Sequence, residues 1–241
     1  MASKASLLLL LQLSLLTAGV VCDVIFHFDN QCPYSIWLAA NPSIGDADPE
    51  SPPDTLEVFT MPDTWTGSIW ARTKCSNDPS FKFSCETGDC GSGNIICDSS
   101  PPALPVTLLN FAINQSVVHY ELSLKHGFNI QVRIQPDGGH LVDGGSGPCP
   151  VVDCIQNIGN VCPASLVATN KDGAYVGCYS ACDALKSPEY CCNSPSCQPD
   201  QYSKTFKNSC ALAHTYPGDN SPPTYGCTGF NTINVIFCPI I

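Results

Sequence analysis

Residues 85–97 read CETGDCGSGNIIC and place three cysteines and two carboxylates within thirteen residues. Three kinds of site fit such a segment: an acidic catalytic site, a cysteine metal site, or a loop closed by a disulfide. The redox compartment decides between the last two, because cysteine binds zinc as a thiolate but pairs with cysteine in oxidising compartments. The beginning of the chain indicates that compartment.

The first residues have the pattern of a secretory signal peptide. Lys4 precedes the apolar run LLLLLQLSLLTAGVV, which is short for a membrane span and is followed by small residues. We expect residues 1–22 to be removed by a cut near Cys22; a membrane anchor is the alternative. No second apolar run of membrane length follows, so we expect no membrane association after the signal peptide is removed. We expect the mature protein to be secreted to the extracellular space (the apoplast if the source is a plant).

Removing the signal peptide changes the cysteine count and the charge. Of seventeen cysteines sixteen remain, an even number that predicts eight disulfides. The ten Lys and Arg lose Lys4, so nine basic residues face 21 acidic ones, a net charge of −12. Such a charge argues against nucleic acid and anionic membranes as partners, because both would repel it. No His-x₃₋₅-His pair completes a zinc site, so we predict no metal and no cofactor.

Alternating hydrophobicity predicts a mainly β protein. In FNIQVRIQ (128–135) every second residue is apolar, and DVIFHFD (23–29) and VVHYELSL (117–124) show the same period of two. YSIWLAA, GSIWART, TLEVFT and NVIFC are further strand candidates. The turn KHG (125–127) predicts that 117–124 and 128–135 form a hairpin. Many short strands with turn signals favour a β-sandwich or a barrel.

Other segments predict loops and a cross-linked region. Nine cysteines fall within residues 149–210, where strand alternation is weak and one helix is indicated near DQYSKTFKNSCALA (200–213). Residues 41–64 carry six acids and no base, which indicates a solvated acidic loop; its spacing does not fit an EF-hand calcium site. DGGHLVDGGSG (137–147) indicates a glycine-rich loop.

Few motifs indicate chemistry. No nucleophile elbow is present, and the five histidines lie in no triad pattern. The sequon NQS (114–116) makes Asn114 a candidate glycosylation site in a secreted protein.

Nine segments together resemble thaumatin-like proteins, the fifth group of pathogenesis-related proteins. They are NQCPYSIWLAA, IWARTKC, CETGDCGSGNIIC, HGFNIQVRI, CPASL, CYSAC, EYCCNSPSC, YSKTFKNSCALAHTY and VIFCP. Phe81 is a departure, since the family usually has Gly there. The resemblance implies a single domain, 23–241, and a monomer. It implies a flattened antiparallel β-sandwich core (23–72, 104–155 and 211–241), a small loop lobe (73–103) and a disulfide-rich lobe of loops and helix (156–210).

The resemblance also implies the disulfide pairing, which the sequence alone leaves open. The implied pairs are Cys32 with Cys238, Cys75 with Cys85, Cys90 with Cys97, Cys149 with Cys227, Cys154 with Cys210, Cys162 with Cys178, Cys182 with Cys191, and Cys192 with Cys197. The stretch at 85–97 then becomes structural, with Asp89 accepting hydrogen bonds from backbone donors in a tight loop.

Among thaumatin-like proteins many inhibit fungi, several bind β-1,3-glucans and some hydrolyse them slowly. The cleft proposed for this activity is lined by one Arg, one Glu and three Asp. By resemblance the five matching positions here are Ser68, Asn110, Glu121, His126 and Pro188, with Glu189 beside the last. Glu121 alone keeps a carboxylate among the five. Glycoside hydrolysis uses two carboxyl groups, so we predict that no residue is catalytic.

We therefore expect a secreted defence or stress-response protein that binds β-1,3-glucan or another cell-wall polysaccharide without catalysis. One alternative is a weak, antifungal endo-β-1,3-glucanase that uses Glu121 with Glu189 or His126. Another is an inhibitor of a digestive or microbial enzyme. The sweet-tasting relatives are strongly basic, so the negative charge argues against that property. The chain ends three residues after Cys238, without the longer tail that directs some relatives to the vacuole, which favours secretion.

Overall fold

A computed structural model describes residues 23–44, 50–76, 82–97, 100–142, 147–192, 197–222 and 224–240. The predicted signal peptide, its cleavage near Cys22, and Phe81 lie outside these residues. Within them, no helix is both long and apolar enough to cross a membrane.

The described residues form fourteen strands, three short α-helices and two 3₁₀ turns. The strands are β1 (Val24–Asn30), β2 (Ile36–Asn41), β3 (Glu50–Ser51), β4 (Thr55–Met61), β5 (Thr66–Ser76), β6 (Ser84–Thr87), β7 (Leu108–Asn114), β8 (Val117–Ser123), β9 (Val132–Leu141), β10 (Val152–Cys154), β11 (Val167–Thr169), β12 (Tyr175–Cys178), β13 (Ala213–His214) and β14 (Tyr225–Phe237). The helices are α1 (Ala181–Leu185), α2 (Pro188–Cys191) and α3 (Gln201–Ser209), and the 3₁₀ turns are Ile158–Asn160 and Ala164–Leu166.

The main sheet folds back on itself through β14. Its path runs β10-β9-β14-β8-β7-β5-β2-β3, and β1 and β4 continue from β14 on another branch. The first residues of β14 pair with β8, whereas Ile233–Phe237 lie between β1 and β9. The ring of Phe26 on β1 packs edge-on against Phe111 on β7, with centroids 5.0 Å apart. This contact joins two layers of strands, so the fold is the predicted flattened β-sandwich.

Alternation along the strands explains which side chains form the core. Phe26 and Phe28 on β1 and Tyr120 and Leu122 on β8 are fully or almost fully buried, as the period of two predicts. The strands are antiparallel with two exceptions, because β1 runs parallel to β14 and β13 runs parallel to β8. The helix predicted from 200–213 is α3, and the Asp200 carboxylate caps its first turn.

The predicted hairpin between 117–124 and 128–135 is wrong. β8 pairs with β7, β13 and β14, and β14 lies between β8 and β9. The KHG turn does form, since Gly127 N donates to Leu124 O at 2.9 Å. After the turn, Phe128 forms an isolated β-bridge with Cys178, and the chain then continues into β9 in the second layer. The turn therefore links two layers instead of two neighbouring strands.

The prediction of a glycine-rich loop at 137–147 is wrong for its first part. β9 continues to Leu141, because Gly138 and His140 pair with Phe230 and Thr228 of β14. A register shift in β14 accompanies this pairing, as a β-bulge does. Residues 143–146 of the predicted loop lie outside the described residues.

Eight disulfides cross-link the structure, and their pairs are the same as those implied by the resemblance. Cys32–Cys238 joins residues 206 positions apart, close to the two ends of the described chain. In the 85–97 segment Asp89 accepts from Cys85 N and Gly91 N, both at 2.6 Å, which confirms its predicted role in the loop.

Candidate functional site

A row of polar side chains crosses four neighbouring strands of one layer. The pairing register places Asn41 on β2 opposite Ser68 on β5, Ser68 opposite Asn110 on β7, and Asn110 opposite Glu121 on β8. Directly opposed residues in an antiparallel sheet project from the same face. We call Asn41, Ser68, Asn110 and Glu121 the polar row.

Hydrogen bonds connect three members of the polar row. Ser68 Oγ donates to Asn110 Oδ1 at 2.6 Å, and Asn110 Nδ2 donates to Glu121 Oε1 at 2.9 Å. The alternate residues of β7, Leu109 and Phe111, are buried in the core on the opposite face. The same alternation that builds the core therefore directs Asn110 out of it.

The Glu121 carboxylate is engaged through both oxygens. Asn110 donates to Oε1, and Thr224 Oγ1 donates to Oε2 at 2.6 Å. His214 Nδ1 also lies 3.2 Å from Oε2, within ion-pair distance but off the line of a good hydrogen bond. The side chain of Glu121 is 17% exposed, so these partners take the place of water.

His214 faces acceptors at both ring nitrogens. Its Nε2 lies 2.6 Å from the carbonyl oxygen of Pro222, while Nδ1 faces Glu121. Because both nitrogens face acceptors, the imidazolium form, which carries an N–H at each nitrogen, is favoured over a neutral ring. The contact with Glu121 accordingly raises the pKa of His214, against burial and the nearby charge of Lys125.

These partners also lower the pKa of Glu121 to about 2. The contact with His214 contributes most, burial opposes it, and the hydrogen bonds from Thr224 and Asn110 add to the lowering. A carboxylate with this pKa stays ionised at ordinary pH and holds no proton to give. A general acid in glycoside hydrolysis has a raised pKa instead. The electrostatics of Glu121 therefore do not suit the acid role.

His126 has a partner other than Glu121. Its Nδ1 lies 3.1 Å from Asp183 Oδ2, which also accepts from Ser180 Oγ at 2.8 Å. Burial raises the pKa of Asp183, but the bonds from His126 and Ser180 outweigh it, so the net shift is downward. The contact ties the turn after β8 to α1 in the disulfide-rich segment.

A cavity of about 370 Å³ lies against the polar row. Its polar lining comes from Asn41, Ser68 and His126, and the remaining lining residues are apolar: Trp70, Pro101, Pro102, Leu104 and Leu108. Trp70 is fixed by a hydrogen bond from Nε1 to Gly88 O at 2.9 Å. No carboxylate lines this cavity among the described residues, which agrees with an uncharged surface better than with an acidic one.

The structure does not add Pro188 or Glu189 to the row. Pro188 is the first residue of α2 and is exposed, and Glu189 N donates to Ser187 Oγ at the helix cap. In the described part of the chain, no hydrogen bond or ion pair joins either residue to Glu121. Of the five residues proposed from resemblance, Ser68, Asn110 and Glu121 are bonded together, and His126 shares the cavity with Ser68.

Sequence reasoning missed His214, Thr224 and Asp183. His214 is far from Glu121 in sequence and reaches it because β13 runs beside β8. No spacing or alternation signals that contact, since it depends on how distant strands are ordered in the sheet.

The model of the thaumatin family matches residues 30–239. The chain belongs to the thaumatin family. It is 38% identical over 227 residues to Thaumatin-like protein 1 of Pyrus pyrifolia, covering 89% of this chain and 90% of that protein. It is 40% identical over 225 residues to an osmotin-like protein of Solanum lycopersicum (87% and 86% covered). It is 35% identical over 243 residues to a glucan endo-1,3-beta-glucosidase of Prunus avium (95% and 96% covered).

Solved structures show a lower likeness. The thaumatin-like xylanase inhibitor TLXI matches 89% of this chain and 99% of its own, with 19% identity and a TM-score of 0.49. A laminaripentaose-producing β-1,3-glucanase in complex with laminaritetraose matches 73% and 58%, with 10% identity and a TM-score of 0.42. The assignment to the thaumatin family, a defence family, rests on the sequence relatives. The eight disulfides of this thaumatin-like protein fit an extracellular protein.

Proposed function

We propose that this thaumatin-like protein is secreted and binds carbohydrate through the cavity beside the polar row, without hydrolysing it. The observation that carries the proposal is the state of Glu121. Its two oxygens are occupied by Asn110, Thr224 and His214, and its pKa is about 2.

Hydrolysis of a glycosidic bond uses a pair of carboxyl groups, one of which gives a proton and the other of which attacks or activates water. The polar row contains one carboxylate, flanked by Asn110 where a second acid is expected from resemblance. An ionised Glu121 cannot give the proton, and its occupied oxygens are poorly placed to attack. These features support binding over catalysis.

The lining of the cavity suits a neutral sugar chain. Leu104, Leu108 and the two prolines offer apolar surface to the C–H faces of sugar rings, and Asn41 and Ser68 offer amide and hydroxyl groups to their hydroxyls. We take β-1,3-glucan as the first ligand to test, in line with the expectation from the family.

One observation favours weak β-1,3-glucanase activity as a second candidate. The Prunus avium relative, 35% identical to this chain, is named as a glucan endo-1,3-beta-glucosidase. In this chain such activity would need Glu121 with Glu189 or His126. Against it, His126 is paired with Asp183.

Binding and hydrolysis are separated by two measurements on the purified secreted protein. We expect the protein to sediment with insoluble β-1,3-glucan and to release no reducing ends from laminarin. Leu108→Ala removes apolar lining and should weaken binding about five- to tenfold, a loss of about 1–1.4 kcal/mol. Leu56→Ala, an exposed leucine on β4, is the matched control and should bind like wild type.

Two outcomes would contradict the proposal. Release of reducing ends by wild type that disappears in Glu121→Gln would establish the glucanase instead. Failure to bind the glucan, or equal loss of binding in Leu108→Ala and Leu56→Ala, would remove the cavity as the binding site for this polymer.

A further inference from the structure

A second cavity contains no residue of the polar row in its lining. Its volume is about 190 Å³, and it shares no lining residue with the first cavity. It is bounded by the end of β5, residues 128–131, and Tyr175 at the start of β12. At about 30 Å³ per liquid water molecule, this volume equals that of about six waters, which is comparable with the volume of one pyranose ring.

Two tyrosines line this second cavity and remain exposed. Tyr34 is 42% exposed and Tyr175 is 37% exposed. The Tyr175 ring rests on the backbone of Gly159, where an added Cβ would lie 3.0 Å from the ring. Aromatic rings that are fixed yet exposed provide stacking surface for the C–H face of a sugar, together with a hydroxyl group.

Two amides in the lining keep unused hydrogen-bonding capacity. Gln131 Nε2 donates to Ile155 O, and Asn157 Oδ1 accepts from Gly159 N at 2.9 Å. Within the described residues, Gln131 Oε1 and Asn157 Nδ2 have no hydrogen-bond partner. The cavity thus has one free acceptor and one free donor, and a sugar hydroxyl can serve both because it donates and accepts.

The rest of the lining is preformed and its one charge is balanced. Asn129 donates to Ala71 O at 2.9 Å and to Thr87 Oγ1 at 2.8 Å, and accepts from Thr107 N. Lys74 Nζ lies 3.4 Å from Glu86 Oε2 and donates to Tyr175 O at 3.0 Å. A neutral ligand fits such a surface better than an anion, because no unpaired cation lines it.

We propose that the cavity between Tyr34 and Tyr175 binds a neutral pyranose residue, as a second carbohydrate site of this protein. The proposal rests on the second cavity's own lining residues and does not depend on binding at the polar row. Two sites with no lining residue in common would allow one molecule to contact two sugar chains, or two stretches of one chain, which strengthens attachment to an insoluble polymer.

The test is an NMR titration of the ¹⁵N-labelled full-length secreted protein with laminaritetraose, cellotetraose and xylotetraose as probes. With at least one probe, the amide signals of Gln131, Asn157 and Tyr175 should shift. Tyr175→Ala should weaken that binding about tenfold, whereas Tyr175→Phe, which keeps the ring, should stay within about threefold. Val167→Ala, on the partner strand of the same hairpin and also 37% exposed, should bind like wild type.

The two sites give distinguishable results. Leu108→Ala should reduce the ligand-induced changes in amide chemical shift at Ser68 and Asn110. It should leave those at Gln131 and Asn157 unchanged. If the first site binds nothing but the second set of shifts persists and responds to Tyr175→Ala, the second site stands alone. Absence of these shifts with all three probes, or shifts that Tyr175→Ala leaves unchanged, would overturn the proposal.

Discussion

A single pair of residues, Glu121 and His214, makes the stability of the protein depend on pH. The pKa of His214 is raised in the folded protein, so its stabilising effect is complete below the ordinary value of 6.5 and is lost as pH rises through the folded value. The pKa of Glu121 falls from 4.5 to about 2, so its effect is complete above 4.5 and is lost as pH falls towards 2. The pair stabilises most between about pH 4.5 and 6.5.

We predict that His214→Gln reduces the free energy of unfolding by about 1–3 kcal/mol at pH 5.5, because it leaves Glu121 largely buried without its cationic partner. Above the folded pKa of His214 the difference between variant and wild type should shrink. Denaturant unfolding at half-unit pH steps measures both quantities. His140→Gln, at an exposed position on β9, is the control and should cost less than about 0.5 kcal/mol. Parallel pH profiles for His214→Gln and wild type would contradict the pairing.

Residue by residue, part of the candidate site could be predicted and part could not. The resemblance predicts Ser68 and Asn110 at two cleft positions of the family, and the structure places both side chains in one hydrogen-bonded row with Glu121. The contacts that His214 and Thr224 make with the Glu121 carboxylate could not be predicted from the sequence, because both residues lie about a hundred positions away from Glu121. The pairing of His126 with Asp183 was hidden for the same reason.

At the scale of elements, the turn after β8 decides where the chain goes. Gly127 has φ of +95°, and a Cβ there would lie 2.3 Å from the carbonyl oxygen of Cys178. The close approach lets Phe128 and Cys178 exchange backbone hydrogen bonds, both at 2.8 Å. The glycine is thus required for two reasons, its backbone conformation and the space beside it.

Two glycine variants separate these reasons. We predict that Gly127→Ala lowers the free energy of unfolding by about 3 kcal/mol or more, since it adds a steric clash to the strain of a positive φ. Gly173→Ala also has a positive φ, +79°, but nothing lies within 4 Å of its added Cβ, so about 1 kcal/mol is expected. Denaturant unfolding with the disulfides intact measures both, and equal losses would show that the contact with Cys178 is unimportant.

Strand prediction succeeded for β1 and β8, and for the predicted strand 128–135 only from Val132 onward, since residues 128–131 lie outside β9. Strand pairing failed. Alternation depends on which side of a strand faces the core, and the sequence of β1, β8 and β9 records it directly. Pairing depends on long-range order, and β14 enters between β8 and β9 from a position almost one hundred residues later. The KHG turn has the local chemistry of a hairpin, and only the crossing to Cys178 distinguishes it.

For the whole molecule, the length of the loop that each disulfide closes predicts how much it stabilises. Cys32–Cys238 spans 206 residues and Cys90–Cys97 spans 7. Loop-closure entropy gives about 5 kcal/mol for the longer loop and about 2 kcal/mol for the shorter one.

We therefore predict that replacing both Cys32 and Cys238 by Ala destabilises the protein about twice as much as replacing both Cys90 and Cys97. Comparison of denaturation midpoints and slopes for the two double variants and wild type provides the measurement. Mass spectrometry under non-reducing conditions first checks that the seven remaining bridges are intact. Equal losses would mean that local packing, and not chain entropy, determines the contribution of each bridge.

The central place of β14 also constrains how the protein is made. Three strands that pair with it, β1, β8 and β9, leave the ribosome long before Tyr225 does. Cys32 and Cys149 also emerge before β14, while their partners, Cys238 and Cys227, lie beyond the start of β14. The sandwich therefore cannot close until β14 has been made. The nascent chain passes through a stage with open strand edges and free thiols. Correct pairing of strands and cysteines therefore depends on the folding machinery of its compartment.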